Sequence, residues 1–189
     1  SEEIYNRSLP VENIRRFANA AKALKLEVVY DVILDNPLAT SEDKEALIEF
    51  LLSLPRPFSL FIYSLTLFPG TALCELFLRK GLIRHEDIEG EANKSFYQFR
   101  LSFSYPREKE ELFVACVVSL TSKSFIPKSL ILLIKKNNFL KTHPLPLKWF
   151  AEFCNSIKLL CILIKMLLKG EMNIWKFKEY GSPRRFLIQ

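Results

Sequence analysis

Two short runs of apolar and β-branched residues alternate with helical patterns in the first half of the chain. Residues 10–24 place apolar side chains at three- and four-residue intervals, which is typical of an amphipathic helix. A strand over residues 26–34 follows, then a helix capped by Thr40, a strand over residues 58–66 and a helix capped by Thr71. This alternation predicts βα units with a parallel sheet.

The two predicted strands are too few to make a complete parallel sheet. Their outer edges would carry unpaired N–H and C=O groups that need covering. We therefore expect the first half to be the end of a larger sheet or barrel. The helix after Thr40 should bury its apolar side, which consists of Leu47, Phe50, Leu51 and Leu54.

Glycine and cysteine spacing excludes several kinds of site. The five glycines lie too far apart for a dinucleotide-binding turn or a phosphate-binding loop. No two of the four cysteines have the short spacing of zinc or iron–sulfur ligands. All four have apolar neighbours, so we expect buried free thiols and a reducing, cytoplasmic compartment; they are Cys74, Cys116, Cys154 and Cys161.

Charge divides the chain into unlike halves. Residues 1–104 carry 12 Lys or Arg and 15 Asp or Glu, whereas residues 105–189 carry 15 and 6. We interpret residues 1–84 as one unit, residues 85–106 as an irregular linker and residues 107–189 as a basic helical domain.

The basic half has the pattern of an α-helical domain. Helices are predicted over residues 108–121 and 127–136, and one or two over residues 145–169. The unbroken apolar run at 159–164 is far shorter than the roughly 20 residues that span a bilayer. The wide apolar face of the last helix predicts burial against neighbouring helices. Because Lys158, Lys165 and Lys169 lie within one narrow sector, contact with a membrane surface stays open.

Two segments of the first half resemble the radical S-adenosylmethionine enzymes, and most closely their cobalamin-binding subgroup. The first is Tyr30-Asp-Val-Ile-Leu-Asp-Asn-Pro37, and the second is Ser64-Leu-Thr-x-x-Pro-Gly-Thr71. The match covers residues 4–83, and the two motifs occur in the family's order. The resemblance implies a partial (β/α)6 barrel, a variant of the TIM barrel, of which this chain holds the last two βα units, followed by the helical domain.

The same resemblance implies the cofactors and the wall of their site. In the family, a CxxxCxxC loop after the first barrel strand binds a [4Fe–4S] cluster that holds S-adenosylmethionine, and some members also bind cobalamin. This sequence lacks that loop, so we expect the chain to be a C-terminal fragment, inactive alone, that needs the missing N-terminal barrel segment. The cofactor-binding residues carried over are Ile33, Asp35, Asn36, Ser64 and Thr66, with no metal ligand.

Strand geometry refines this expectation. If Ile33 points into the barrel, Asp31 and Asp35 do so too, and Tyr30, Val32 and Leu34 pack against helices. An alternative for Asp35-Asn36-Pro37 is a simple turn, because Asx side chains bond to their own backbone. Successive side chains of a strand point to opposite faces, so only one face of the second strand can line the cavity. Either Tyr63 or the pair Ser64 and Thr66 would line it, and the sequence does not decide between them.

Two other functions are consistent with the basic half. A peripheral membrane or protein-interaction module would use its basic amphipathic helices. Nucleic-acid binding would use Lys and Phe interleaved near Lys135 and Lys176. A solvated helical face explains that pattern equally well, so we do not expect a nucleic-acid partner.

Overall fold

Helices and strands alternate in the first half, and helices alone make up the described part of the second. The computed structural model describes residues 10–65, 67–84 and 107–170. The elements of the first half are α1 (Val11–Ala23), β1 (Val29–Leu34), α2 (Ser41–Ser53), β2 (Ser59–Ser64) and α3 (Ala72–Arg79). Those of the second half are α4 (Lys109–Thr121), α5 (Lys128–Lys135), α6 (Asn138–Thr142) and α7 (Leu145–Leu168).

The two strands pair side by side in parallel, as the alternation predicts. Val29 lies opposite Ser59, and the register continues in step to Leu34 opposite Ser64. Within the described residues the sheet has these two strands. The parallel pairing is therefore confirmed, whereas the remaining strands of the barrel stay a prediction.

The sheet has one covered face and one open face. Val32, Leu34 and Ile62 are buried on the covered face and join a core with side chains of α2 and α4. On the open face Ile33 is 53% exposed and Phe61 is 38% exposed. The predicted alternation along β1 is thus confirmed.

Helix α2 begins where its sequence signature predicts. The Asp43 amide donates to Thr40 Oγ1 at 3.2 Å, and the Thr40 amide donates to Asp43 Oδ2 at 3.0 Å, which completes a capping box. Of the predicted face, Leu51 and Leu54 are buried, whereas Leu47 and Phe50 are partly buried and pack against the core. Ile48 and Leu52 are buried as well, so the covered side of the helix is wider than the predicted face.

Helix α4 occupies the centre of the molecule. Every residue from Phe113 to Thr121 is buried, so the helix is covered on all sides. It packs against α2, α5, α6, α7 and β2. Residues from both predicted domains consequently contribute to one hydrophobic core.

The last helix is continuous and buries only a narrow stripe. Its buried side chains are Leu147, Ala151, Cys154 and Leu163. The broad burial predicted for the run 159–164 was wrong, because α7 packs on α4 and α6 along one side. In the part of the chain that the structure describes, no helix has both the length and the apolar character needed to cross a bilayer.

Two further features differ from the sequence expectations. Cys74, Cys116 and Cys154 are buried free thiols, but Cys161 is exposed and lines a cavity beside α7 instead of packing in the core. Burial predicted for Cys161 was therefore wrong. The short helix α6 was not predicted, although Asn137 caps it by accepting from the Leu140 amide at 3.1 Å.

The capping box of α2 gives a direct test of the local structure. Thr40→Ala removes the hydroxyl that accepts from Asp43 and should lower the free energy of unfolding by about 1 kcal/mol. Urea denaturation followed by circular dichroism measures this change. Thr40→Ser keeps the hydroxyl and should differ little from the native chain; equal losses in the two variants would contradict the capping role.

Candidate functional site

The carboxyl ends of β1 and β2 bring two of the predicted cofactor-binding residues together. Ser64 is the last residue of β2, and Asp35 directly follows β1. Asp35 has a φ of 60°, a left-handed conformation in which Asp is enriched among non-glycine residues. This bend turns the chain away from the sheet and leaves the Asp35 carboxylate beside Ser64.

Arg107 joins these two side chains. Its Nε donates to both carboxylate oxygens of Asp35 at 3.0 Å, and its Nη2 donates to Ser64 Oγ at 2.6 Å. A further Nη2 contact reaches Asp35 Oδ2 at 3.0 Å, with the Arg107 side chain 2% exposed and the Asp35 side chain 16% exposed. Such a buried, multiply bonded guanidinium holds the two strand ends at a fixed distance.

Sequence reasoning missed Arg107. It placed this residue at the start of the helical domain, with no role in the site. Arg107 lies 72 residues after Asp35, and no local pattern connects the two. The signal that could have found it is an arginine just ahead of a helix whose residues from Phe113 onward are nearly all apolar.

The other predicted site residues have different surroundings. Ile33 lies on the open face, close to the strand end. The Asn36 side chain accepts from the Leu38 amide at 3.0 Å, so it stabilises the turn, as the alternative interpretation expects. Thr66 lies outside the described residues.

A cavity of about 420 Å³ opens beside these residues, and we call it the carboxyl-end cavity. Ile33, Asp35 and Asn36 line it. Its charged lining is mostly acidic and consists of Asp31, Asp35, Asp43, Glu111 and the cation Lys44. The cavity therefore favours a ligand that carries positive charge or hydroxyl donors over one that carries phosphates.

Lys44 is already paired within this lining. It forms ion pairs with Glu111 and, at 3.2 Å, with Glu110. Burial by itself lowers the pKa of Lys44. The hydrogen bonds that Lys44 donates to Glu111 and Glu110 have a larger combined effect, so the pKa of Lys44 is raised. The same hydrogen bond lowers the pKa of Glu110. Lys44 is thus engaged by protein carboxylates and leaves the acidic character of the cavity in place.

Across residues 10–65, 67–84 and 107–170, no three His, Cys, Asp or Glu side chains come together in a way that could hold a metal ion. The four cysteines are free thiols, and no three of them come together within these residues. The described residues therefore do not fit a [4Fe–4S] cluster.

Comparisons with known proteins found no matching family model, no matching curated protein and no matching solved structure.

The ion pair at the strand ends should contribute strongly to stability. Arg107→Met leaves the Asp35 carboxylate, which is largely buried, without its partner, and we expect a loss of about 3 kcal/mol in the free energy of unfolding. Lys148→Met removes the exposed pair with Glu152, which is 3.9 Å apart, and should change stability by at most about 0.5 kcal/mol. Urea unfolding of the two variants compares these effects. Equal losses would mean that Arg107 does not hold the strand ends together.

Proposed function

We propose that this chain is the C-terminal part of a radical S-adenosylmethionine enzyme and forms the adenosyl-side wall of its cofactor site. The observation that carries the proposal is the parallel pair of strands with helices on one face and an open face on the other. Ile33 lies on that open face, next to the polar residues at the carboxyl ends. In α/β barrels this end of the strands is where active sites lie.

The open face supports a barrel whose other strands come from another segment. Val29, Ile33 and Phe61 are 47%, 53% and 38% exposed there. A parallel sheet normally has both faces covered, and in a barrel one face packs against side chains of the opposite strands. The occupant proposed for this face is the N-terminal barrel segment that the resemblance implies.

The charge of the carboxyl-end cavity supports the same cofactor. S-adenosylmethionine carries a sulfonium, an ammonium, one carboxylate and ribose hydroxyls, and it carries no phosphate. A carboxylate such as Asp31, which has no arginine partner here, attracts the cationic and donor groups among these. Ile33 offers an apolar surface for the adenine ring.

The residues of this chain would then have separate tasks. Ile33 packs against the base, and Asp31 faces the cationic part of the cofactor. Arg107 fixes the strand ends, and Asn36 shapes the turn. The iron–sulfur cluster, and cobalamin if the enzyme uses it, belong in this proposal to the N-terminal segment, and we derive no reaction step through them. Free thiols and a cluster enzyme suit a reducing, cytoplasmic compartment.

The coding sequence upstream of residue 1 gives the most direct test. The proposal expects a CxxxCxxC segment there, in frame, after one predicted strand. An upstream coding sequence that lacks such a segment would overturn the proposal, because three closely spaced thiolates are needed to hold the cluster.

A matched pair of variants in the complete reading frame tests the wall itself. Ile33→Asp places a carboxylate, in addition to that of Asp31, where the adenine ring should pack. We expect S-adenosylmethionine to bind at least about tenfold more weakly to this variant. Val29→Asp makes the same change at the opposite end of β1 and controls for damage to the barrel. Equilibrium dialysis with labelled cofactor measures both affinities. Equal weakening in the two variants would contradict a contact at Ile33.

A second candidate function is favoured by the uncovered side of α7. Trp149 is 68% exposed and Phe153 is 62% exposed, and they lie one turn apart. Aromatic side chains on a basic helix suit the surface of an anionic membrane. This proposal concerns the helical half and is compatible with the first one.

Vesicle flotation tests the membrane proposal. The chain should float with vesicles that contain phosphatidylserine at low salt, and high salt should reduce the bound fraction because ions screen the attraction. A Trp149→Ser and Phe153→Ser double variant should lose at least half of the binding. Leu24→Ser, at a position 71% exposed directly after α1, is the control. No flotation of the native chain, or an equal loss in the control, would overturn this proposal.

A further inference from the structure

A second and larger cavity lies at the opposite end of the strands, and we call it the amino-end cavity. Its volume is about 840 Å³. The segments before β1 and β2, the connection between α4 and α5, and one side of α7 enclose it. Apolar walls come from Phe58, Phe125 and Ile162. This volume lies within the range of small-molecule sites.

The charged side chains around this cavity are nearly all cationic. The cavity-lining lysines are Lys22, Lys25, Lys123, Lys158 and Lys165. Among the described lining residues, Glu27 is the one acidic side chain. An anion entering here would meet an excess of positive charge in a partly dehydrated space, where electrostatic attraction is strong.

Lys123 is the most unusual of these lysines. It is 6% exposed, and within the part of the chain that the structure describes its ammonium group has neither a hydrogen-bond acceptor nor an ion-pair partner. Burial and, secondarily, Lys158 lower its pKa to about 8, while Cys154 acts weakly in the opposite direction. The ammonium group is not among the fully buried atoms that lack a partner, so it keeps access to the cavity, where an anion can pair with it.

Lys135 provides the internal comparison. It is 7% exposed, almost the same as Lys123. Its Nζ lies 2.6 Å from Glu49 Oε1 and 3.6 Å from Glu45 Oε2. Of the two lysines that are buried in the described part of the chain, Lys135 is paired with carboxylates and Lys123 lines a cavity.

Neighbouring donors lie at the same end of the fold. Lys158 Nζ lies 3.2 Å from Ser59 Oγ, and burial lowers the pKa of Lys158. Arg56 lies between the lining residues Pro55 and Pro57, and its Nη1 donates to the Lys123 and Ile126 carbonyl oxygens at 2.9 and 2.6 Å. Its Nε and Nη2 are buried and have no partner among the described residues. This end of the fold therefore gathers cations and hydroxyl donors in excess of its one lining carboxylate, Glu27.

We propose that the amino-end cavity binds an anionic amphiphile, with its phosphate or carboxylate group between Lys123 and Lys158 and its apolar part against Phe58, Phe125 and Ile162. The lysine ammonium groups would bind the anionic head group, and the apolar walls would contact the rest of the ligand. The site is separate from the carboxyl-end cavity, so the inference stands independently of the proposed cofactor.

Calorimetric titration of the full chain with short, soluble probes tests the proposal. Octyl phosphate and octanoate each have an anionic head and an apolar chain, and at least one should bind with one-to-one stoichiometry. Octanol lacks the charge and inorganic phosphate lacks the apolar part, so both should bind at least tenfold more weakly. The preferred head group identifies the ligand class. Binding of octanol as tight as that of the anions, or no binding of either anion at millimolar concentration, would overturn the proposal.

Matched variants locate the binding. Lys123→Met and Lys158→Met should each weaken the preferred probe at least tenfold, whereas Lys136→Met removes an exposed charge outside the cavity and should have no effect. Lys123→Met should fold well, because it removes an unpaired buried cation, and its urea midpoint should exceed that of the native chain. Equal affinities in Lys123→Met and Lys136→Met would contradict the assigned site.

The pH dependence of the free energy of unfolding tests independently whether the pKa of Lys123 is lowered in the folded chain. The unfolded chain has a lysine pKa of 10.5, and the folded chain has a pKa of about 8, so the unfolded state binds more protons between these values. The native chain should therefore gain stability relative to Lys123→Met as the pH rises from 8 to 10. The charges that act on Lys123 are those of Lys158 and Cys154 of α7, and the same cavity is also lined by Lys22, Lys25, Glu27 and Lys165. The native chain and the Lys123→Met variant have all of these groups in common. If the difference in free energy of unfolding between the native chain and Lys123→Met stayed constant from pH 8 to 10, Lys123 would not have the lowered pKa that its surroundings give it.

Discussion

The burial of α4 on every side is the constraint on which the rest of the structure depends. A helix without a solvent face must be surrounded, and α4 draws α2, α5, α6, α7 and β2 around it. Its thirteen residues and the six residues of each strand both span about 20 Å. Because Arg107 precedes α4 at the carboxyl ends of the strands and Lys123 follows it at their amino ends, the helix runs opposite to the sheet. The position of one buried helix thus places a cation, Arg107 or Lys123, at each end of the two strands.

The two ends of the sheet are electrostatic opposites. Arg107 at the carboxyl end is matched by Asp35, and the cavity beside it keeps further carboxylates such as Asp31 and Asp43. Lys123 at the amino end has no described carboxylate partner and lies among other lysines. Charges of one sign around a concave, partly dehydrated surface select ligands of the other sign. The fold therefore presents two cavities that favour cationic and anionic ligands respectively, and one ligand would not suit both.

Local chemistry made part of this structure predictable from the sequence. The capping box at Thr40 depends on residues three apart, and the faces of β1 follow from alternation, so both could be predicted. Arg107 and Lys123 gain their roles from partners, or from the lack of them, far away in the chain, and no periodicity contains that information. The exposure of Cys161 was missed for a related reason, because an apolar helix pattern does not state how many neighbours will cover the helix. Predictions held where the interaction is local and failed where the neighbours had to be known.

The ion pair between Asp35 and Arg107 also limits which residues at the strand ends can bind the proposed cofactor. Both oxygens of Asp35 accept from Arg107 Nε, and Oδ2 also lies 3.0 Å from Arg107 Nη2. A carboxylate neutralised in this way attracts a cationic ligand less than a carboxylate without a paired arginine, so Asp35 is better suited to fixing the turn than to recognising charge. Asp31 is exposed on the same face of β1 as Ile33, and the two residues stand one alternation apart. Within the proposed wall, recognition of the cofactor therefore belongs to Ile33 and Asp31, and Asp35, Arg107 and Ser64 form the rigid end on which they are held.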